Sequence, residues 1–339
     1  MRMTIAEALR KAIHDEMKRD KRVFCIGEDI GIPGGFGGAF TVTLGLEKEF
    51  RNRIIDTPIS ETGIFGVACG AAVMGLRPIA DVQYGDFLFC AMDQVCNQIA
   101  KLRYMSGGRI KVPIVIRAPV GITGRGAQHA QSLEPFFLSC PGLKIVAPST
   151  AYDAMGLLKS AVRDDDPVMI FEHKLLYGSK GARSEVGTID ASSEIPEEEY
   201  TIPIGKGVIR KEGTDITIIA HLLMVHYSLS ASEMLQSEGI SCEVIDLRSI
   251  WPFDKKLIFD SVKKTGRVLI VEESSKQGGI GAEIASQIAE EIPDYLLAPV
   301  KRIASKNTPV PFSPVLEEYY KPTPEKIADA VRNIIEEYA

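Results

Sequence analysis

Short runs of β-branched and apolar residues alternate with longer stretches of helical period along most of this chain. Few folds accommodate that order. Residues 23–26, 54–55, 78–84, 113–118, 144–147 and 168–171 have the length and content of buried strands. Between them lie a small-residue helix at about 61–74, a segment over 86–104 with apolar residues at 88, 92, 95, 96, 99 and 102, and a helix at about 151–163. Strands regularly separated by helices predict a parallel sheet covered on both faces. Ahead of the first strand, Thr4 and Glu7 have capping-box spacing, and Ile5, Leu9, Ile13 and Met17 recur every fourth residue.

The alternation breaks at about 178–203, where the chain turns polar and acidic through Ser192-Ser-Glu-Ile-Pro-Glu-Glu-Glu. It then resumes, with strands at about 215–220, 242–246, 267–272 and 300–304 and helices at about 224–237, 281–291 and 325–338. A length of 339 residues suits about two domains. The reading is therefore two α/β domains, 1–180 and 204–339, joined by a linker at 181–203.

Several functions are excluded. Thirty-nine basic residues against 45 acidic ones give a net charge of −6, with no basic face for nucleic acid. The longest uncharged apolar stretch, 66–76, is too short to span a bilayer. No secretory hydrophobic segment follows Met1, and the six cysteines form no Cys-x-x-Cys, which points to reduced thiols and a cytoplasmic protein without a redox motif. There is no Gly-x-Ser-x-Gly, Walker loop or His-Glu-x-x-His. Gly278-Gly279-Ile280-Gly281 reads as a turn before a helix, and the glycines at 31–38 as a loop that either meets a ligand or moves freely.

The informative pattern is positional. Ligands of parallel sheets bind beyond the carboxyl ends of the strands. Glu61 follows the 54–55 strand, Phe87 follows the 78–84 strand, and His129 lies in the long loop after the 113–118 strand. An acid, an aromatic ring and an imidazole are thus expected at one sheet edge. Glu61 and Phe87 each have an ordinary structural explanation, in the helix dipole and in core packing. A histidine in a glycine-rich loop has none.

These residues sit in longer stretches that carry a resemblance: Gly27-Glu-Asp-Ile-Gly, Asp56-Thr-Pro-Ile-Ser-Glu-Thr-Gly-Ile, Ala91-Met-Asp-Gln-Val-Cys-Asn-Gln, Gln128-His-Ala-Gln-Ser, Cys140-Pro-Gly-Leu-Lys-Ile-Val-Ala-Pro-Ser and Arg163-Asp-Asp-Asp-Pro-Val. From Thr4 to about residue 335 the chain resembles the β subunit of the thiamine-diphosphate-dependent decarboxylase component of 2-oxo-acid dehydrogenase complexes. That resemblance implies a transketolase-like pyrimidine-binding domain followed by a transketolase-type C-terminal domain. It implies that Glu61 hydrogen-bonds the aminopyrimidine of the cofactor, that Phe87 stacks on that ring, and that Ile59 and Gln83 are its neighbours. To donate such a bond Glu61 must hold a proton, which desolvation beside Phe87 and Ile59 would favour. His129 is placed near the reacting carbon, where an imidazole serves acyl transfer. Ala161, Asp164 and Asp166 align with a potassium site of some relatives, although Asp166 stands where Asn is common. Ala130 replaces a frequent Ser beside the histidine.

The chain lacks the Gly-Asp-Gly segment with which the family holds magnesium and the diphosphate. By resemblance an α subunit supplies that half in an α2β2 heterotetramer, and an acyltransferase core docks through its peripheral subunit-binding domain. Glu172-His-Lys-Leu-Leu-Tyr-Gly-Ser-Lys-Gly looks more like pyruvate or acetoin members than branched-chain ones. A split transketolase half and a non-catalytic docking subunit are the alternatives.

Overall fold

The computed structural model describes residues 1–178 and 188–338. The start of the expected linker and the end of the 172–181 stretch lie outside the described residues. The chain divides into two compact units. The first comprises 1–123 and 136–204, the second 124–135 and 205–339.

The first unit is built on parallel strands β1 (Val23–Gly27), β2 (Ile54–Asp56), β3 (Arg77–Asp81), β4 (Val115–Val120), β5 (Lys144–Val146) and β6 (Val168–His173). Among the described residues of this unit their order is β5-β6-β4-β3-β1-β2, every pairing parallel. Ile79, Ile116, Ile145, Met169 and Phe171 are fully buried, as strands covered on both faces require. Helix α1 (Ile5–Arg19) starts at the predicted capping box: the Glu7 amide donates to Thr4 Oγ1 at 3.3 Å and the Thr4 amide to Glu7 Oε2 at 2.9 Å. It packs on α3 (Ala151–Arg163), where buried Glu16 accepts from Arg163 Nη2 at 2.5 Å and Arg19 Nε at 2.7 Å. Between them in sequence, helix α2 (Glu61–Val73) is capped by Ser60 Oγ, which accepts from the Gly63 amide at 3.2 Å.

The continuous helix expected over 86–104 is not formed. That stretch is a 3₁₀ segment (Gly85–Ala91), a π-helical segment (Asp93–Ile99) and one α-turn (Leu102–Met105). Apolar spacing alone reports which side is buried. It does not report the hydrogen-bond step, and here the segment widens to i→i+5 bonding. The expected linker is also more structured than its composition suggests: Ser193–Glu194 pairs antiparallel with Arg2–Met3, and Ala191, Ile195 and Ile202 are buried.

At the sheet's centre, Arg117 on β4 is buried between two acids. Its Nε and Nη2 donate to Glu172 of β6 at 2.8 and 2.6 Å, and its Nη1 pairs with Asp81 of β3. Tyr177 donates its hydroxyl to Glu172 at 2.5 Å. Burial raises Asp81 to about 6, against the pull of Arg117.

The second unit has strands β7 (Val208–Lys211), β8 (Ile216–Ala220), β9 (Cys242–Asp246), β10 (Val268–Ser275) and β11 (Lys301–Ser305). They lie in the order β11-β10-β8-β9-β7, with β7 antiparallel and the rest parallel. Helices α4 (Leu223–Gln236), α5 (Lys255–Thr265), α6 (Ile280–Glu291) and α7 (Pro324–Glu337) alternate with these strands. β7 and α5 were not foreseen. β7 is half-exposed throughout, and half-burial leaves no continuous apolar run to read.

Breaking the buried Arg117 network should be costly. Arg117→Met strands two buried acids and is expected to lower unfolding free energy by about 3–5 kcal/mol, read from the denaturant midpoint. Adding Glu172→Gln and Asp81→Asn to that variant should recover part of the loss.

Candidate functional site

Glu61 occupies the first turn of α2, directly after β2. Its side chain is half-buried, and Ile59 before it is 75% exposed. The neighbouring Thr62 hydroxyl donates to the Cys90 carbonyl at 2.7 Å, tying this turn to the segment that carries Phe87. The turn that carries Glu61 and the segment that carries the half-buried Phe87 are thus neighbours in the first unit. Desolvation of Glu61 by this chain alone is incomplete, because Ile59 faces outward.

Phe87 is held by an aromatic series leading back to the core. Its ring meets Tyr84 edge-on at 5.9 Å, Tyr84 meets Phe40 at 5.9 Å, and Phe40 stacks on Tyr177 at 4.7 Å and 11°. Tyr177 ends on Glu172 and so on the Arg117 network. Sequence reasoning missed Phe40, Tyr84 and Tyr177, since residues this far apart carry no common local pattern.

Gln83 is fully engaged: its Oε1 accepts from the Ala39 amide at 3.0 Å and its Nε2 donates to the Glu28 carbonyl at 2.5 Å. Its amide clamps both ends of the glycine loop. Thr43 Oγ1 adds a bond to the Ile30 carbonyl at 2.9 Å, and the Gly38 amide one to the Asp29 carbonyl at 3.0 Å. Gly37 has φ +69°, and a Cβ there would lie 2.0 Å from the Leu44 nitrogen, so only glycine fits this coil. The loop is anchored rather than free. It also gathers acids. Burial first, then the charges of Asp29, Glu61 and Asp56, raise the pKa of Glu28.

His129 belongs to the second unit, within 124–135. Its half-buried ring sits on a segment pinned at both ends. The Gly124 amide donates to Glu317 Oε1 at 2.7 Å, and Ser132 Oγ to Glu273 Oε1 at 2.8 Å. The next acid, Glu134, is completely buried, and neither carboxyl oxygen has a hydrogen-bond partner among the described residues. His221 Nε2 stands 4.0 Å away. Burial, with Glu273 and Glu272 nearby, raises Glu134 to about 8. The structure thus puts Glu61, Ile59, Gln83 and Phe87 in one unit and His129 in the other.

Ala161, Asp164 and Asp166 lie at the end of α3. Lys144 Nζ reaches Asp164 at 2.7 Å and Asp166 at 3.1 Å, Arg103 also pairs with Asp166, and the Ala161 carbonyl accepts from the Asp164 amide at 3.3 Å. These oxygens are already engaged by the chain's own cations and amides, and they make a poor fit for potassium. Among the described residues no group of three or more His, Cys, Asp or Glu could hold a metal, and no helix is long and apolar enough to cross a membrane.

Two parallel-sheet units with these residues define the class. Residues 1–180 match the transketolase pyrimidine binding domain and 205–327 the transketolase C-terminal domain. A solved chain described as a split gene transketolase, inactive beta4 tetramer, superposes with a TM-score of 0.79 at 26% identity over 99% of both chains. The 2-oxoisovalerate dehydrogenase subunit beta of Bacillus subtilis is 44% identical over 98% of this chain and 99% of its own length. The acetoin:2,6-dichlorophenolindophenol oxidoreductase subunit beta of the same organism is 44% identical, covering 99% and 98%, and its pyruvate dehydrogenase E1 component subunit beta 43%, covering 98% and 99%. The chain belongs to the β subunits of the thiamine-diphosphate-dependent first component of 2-oxo-acid dehydrogenase complexes, a family that includes the pyruvate, acetoin and branched-chain members. Identities of 43–44% do not separate the three substrates.

The orphaned carboxyl gives a pH test. Glu134 binds its proton more tightly folded, at about 8, than at its ordinary 4.5, so its contribution to stability is full below 4.5 and is lost as pH rises through about 8. Glu134→Gln should abolish this loss. Thermal midpoints of the two proteins, compared across that window, should diverge in favour of the variant as pH rises.

Proposed function

We propose that this chain supplies the pyrimidine-binding half of the active site of a heterotetrameric thiamine-diphosphate enzyme that cleaves a 2-oxo acid or acetoin and passes the acyl group to a lipoyl domain of an acyltransferase. Pyruvate and acetoin are favoured over branched-chain acids by the 172–181 stretch. The observation that carries the reading is that Glu61, an acid that opens a helix, lies on a turn bonded through Thr62 and Cys90 to the segment of Phe87, a ring held by the Tyr84–Phe40–Tyr177 series.

That set suits a flat, aminated aromatic ring. Phe87 would stack on one face, Ile59 would cover an apolar edge, and the Glu61 carboxyl would hydrogen-bond a ring nitrogen. The bound cofactor supplies an electron sink for the carbon–carbon bond that breaks. Gln83 shapes the Glu28–Ala39 loop beside the ring. His129, pinned through Gly124 and Ser132, exchanges a proton with the oxo oxygen during acyl transfer. The family's diphosphate segment is absent here, so magnesium and the diphosphate fall to an α subunit.

The surface of α2 supports a partner. The helix is apolar on all sides, yet Val67 is 58% exposed and Met74, just beyond it, 83%. An α subunit or a second β subunit would bury this face, and would complete the desolvation of Glu61.

The test is to tag the full chain, recover it from its host at moderate salt and identify what co-elutes. The eluate is then assayed with pyruvate, acetoin and branched 2-oxo acids in the presence of thiamine diphosphate and magnesium. A co-eluting chain that carries Gly-Asp-Gly, with turnover of one of these substrates, is the expected result. Turnover of a ketose phosphate instead would move the reading to a split transketolase. In the active assembly Glu61→Gln should lower kcat by about 10²-fold or more, the scale of a positioned proton donor, with the assembly intact by gel filtration.

A further inference from the structure

The six cysteines are scattered in sequence, and the fold brings two of them together. Cys96 lies in the π-helical segment Asp93–Ile99, Cys140 in the turn that leads to β5, and their sulfurs are 2.7 Å apart. The other four differ in kind: Cys25, Cys69 and Cys242 are buried and Cys90 is exposed.

The approach is imposed by the backbone and not by the thiols. Gly142 has φ +106°, and a Cβ there would sit 1.9 Å from the Ala100 carbonyl oxygen. The turn at 140–142 is therefore pressed directly onto the end of the segment that carries Cys96. Bonds from the Cys140 amide to the Phe137 carbonyl at 3.1 Å and from the Leu143 amide to the Cys140 carbonyl at 3.3 Å fix the turn's shape. The sulfurs need close only from 2.7 Å to the ~2.05 Å of a disulfide. Both residues are half-buried, within reach of a small oxidant.

We propose that Cys96 and Cys140 form a reversible disulfide under hydroperoxide stress, a modification site independent of the decarboxylase reading. The Cys140 thiolate attacks one oxygen of the peroxide and breaks the O–O bond, giving a sulfenic acid; the leaving hydroxide takes up the proton Cys140 has lost and departs as water. Cys96 then attacks the sulfenic sulfur, the S–O bond breaks, and the displaced hydroxide takes the Cys96 proton as a second water. Two thiols are oxidised by two electrons and one peroxide is reduced to two waters. Burial, and next the neighbouring Cys140, push the Cys96 thiol up to about 12, which makes it the second and not the first nucleophile.

The bond would clamp the turn before β5 to a segment that packs on α2, the helix that Glu61 opens. It would close a loop from residue 96 to residue 140 and raise the thermal midpoint by restricting the unfolded chain.

The experiment uses the reduced full chain and stepwise additions of hydrogen peroxide. Thiols titrated after denaturation should fall from six to four. A non-reducing digest should contain one peptide pair joining Cys96 to Cys140, lighter by two hydrogens. The thermal midpoint should rise, and dithiothreitol should restore the starting thiols and midpoint. Cys96→Ser should form no linked pair and instead leave a sulfenic acid on Cys140 that a dimedone-type reagent traps. Cys140→Ser, as the second variant, should also form no linked pair. The proposal is overturned if all six thiols survive a peroxide dose that fully oxidises free glutathione, if the linked peptides contain Cys90, or if Cys96→Ser loses two thiols as fast as the parent chain.

Discussion

The buried guanidinium of Arg117 ties together the strands at the middle of the first unit's sheet. It joins β3, β4 and β6 near their carboxyl ends by bonding Asp81 and Glu172 at once. A charge so placed is tolerated only when paired and hydrogen-bonded, so the acids on both sides are obligatory partners. Tyr177 then carries the order outward. Its hydroxyl is fixed by Glu172, its ring stacks on Phe40, and the series ends at Phe87. The orientation of an aromatic ring at the surface thus depends on an ion pair in the core.

Around this centre, carboxylates are sorted by whether a cation meets them. Asp164 and Asp166 are engaged by Lys144 and Arg103, and Asp165 by Lys111 and Arg77. Those ion pairs close the end of α3 and leave little for a bound metal. Glu28, Asp29, Asp56 and Glu61 instead gather beside the glycine loop, and burial first, then these neighbouring charges, raise the pKa of Glu28. Glu134 in the second unit is fully enclosed, and burial raises its pKa to about 8.

The first unit also leaves apolar surface uncovered. Glu61 is only half-buried, Ile59 projects outward, and α2 leaves Val67 uncovered. Apolar side chains left open to solvent in this way form a surface that a partner could cover. In the second unit, the segment that carries His129 is stiffened by Glu317 and Glu273 from elements far away in sequence.

Much of this was legible in the sequence. Strand–helix alternation is a local property of hydrophobic period, so all the strands of both sheets except the half-exposed β7, and the capping box at Thr4, could be read directly. Glu61, Phe87 and His129 stood out because each follows a strand. The rest depended on contacts between distant residues. Periodicity could not tell that 85–105 splits into 3₁₀, π and α pieces, since apolar spacing does not report the hydrogen-bond step. Composition could not show that Gln83 clamps a loop, that Arg117 and Glu172 meet 55 positions apart, or that Cys96 and Cys140 touch 44 positions apart. Nor could it assign residues 124–135 to the second unit. The sequence by itself determined the class of fold and the identity of the groups available for chemistry, because these follow from short-range pattern. Which groups face each other, which carboxyls are paired and which thiols meet were decided only by tertiary structure, because pairing depends on distances that chain order does not encode.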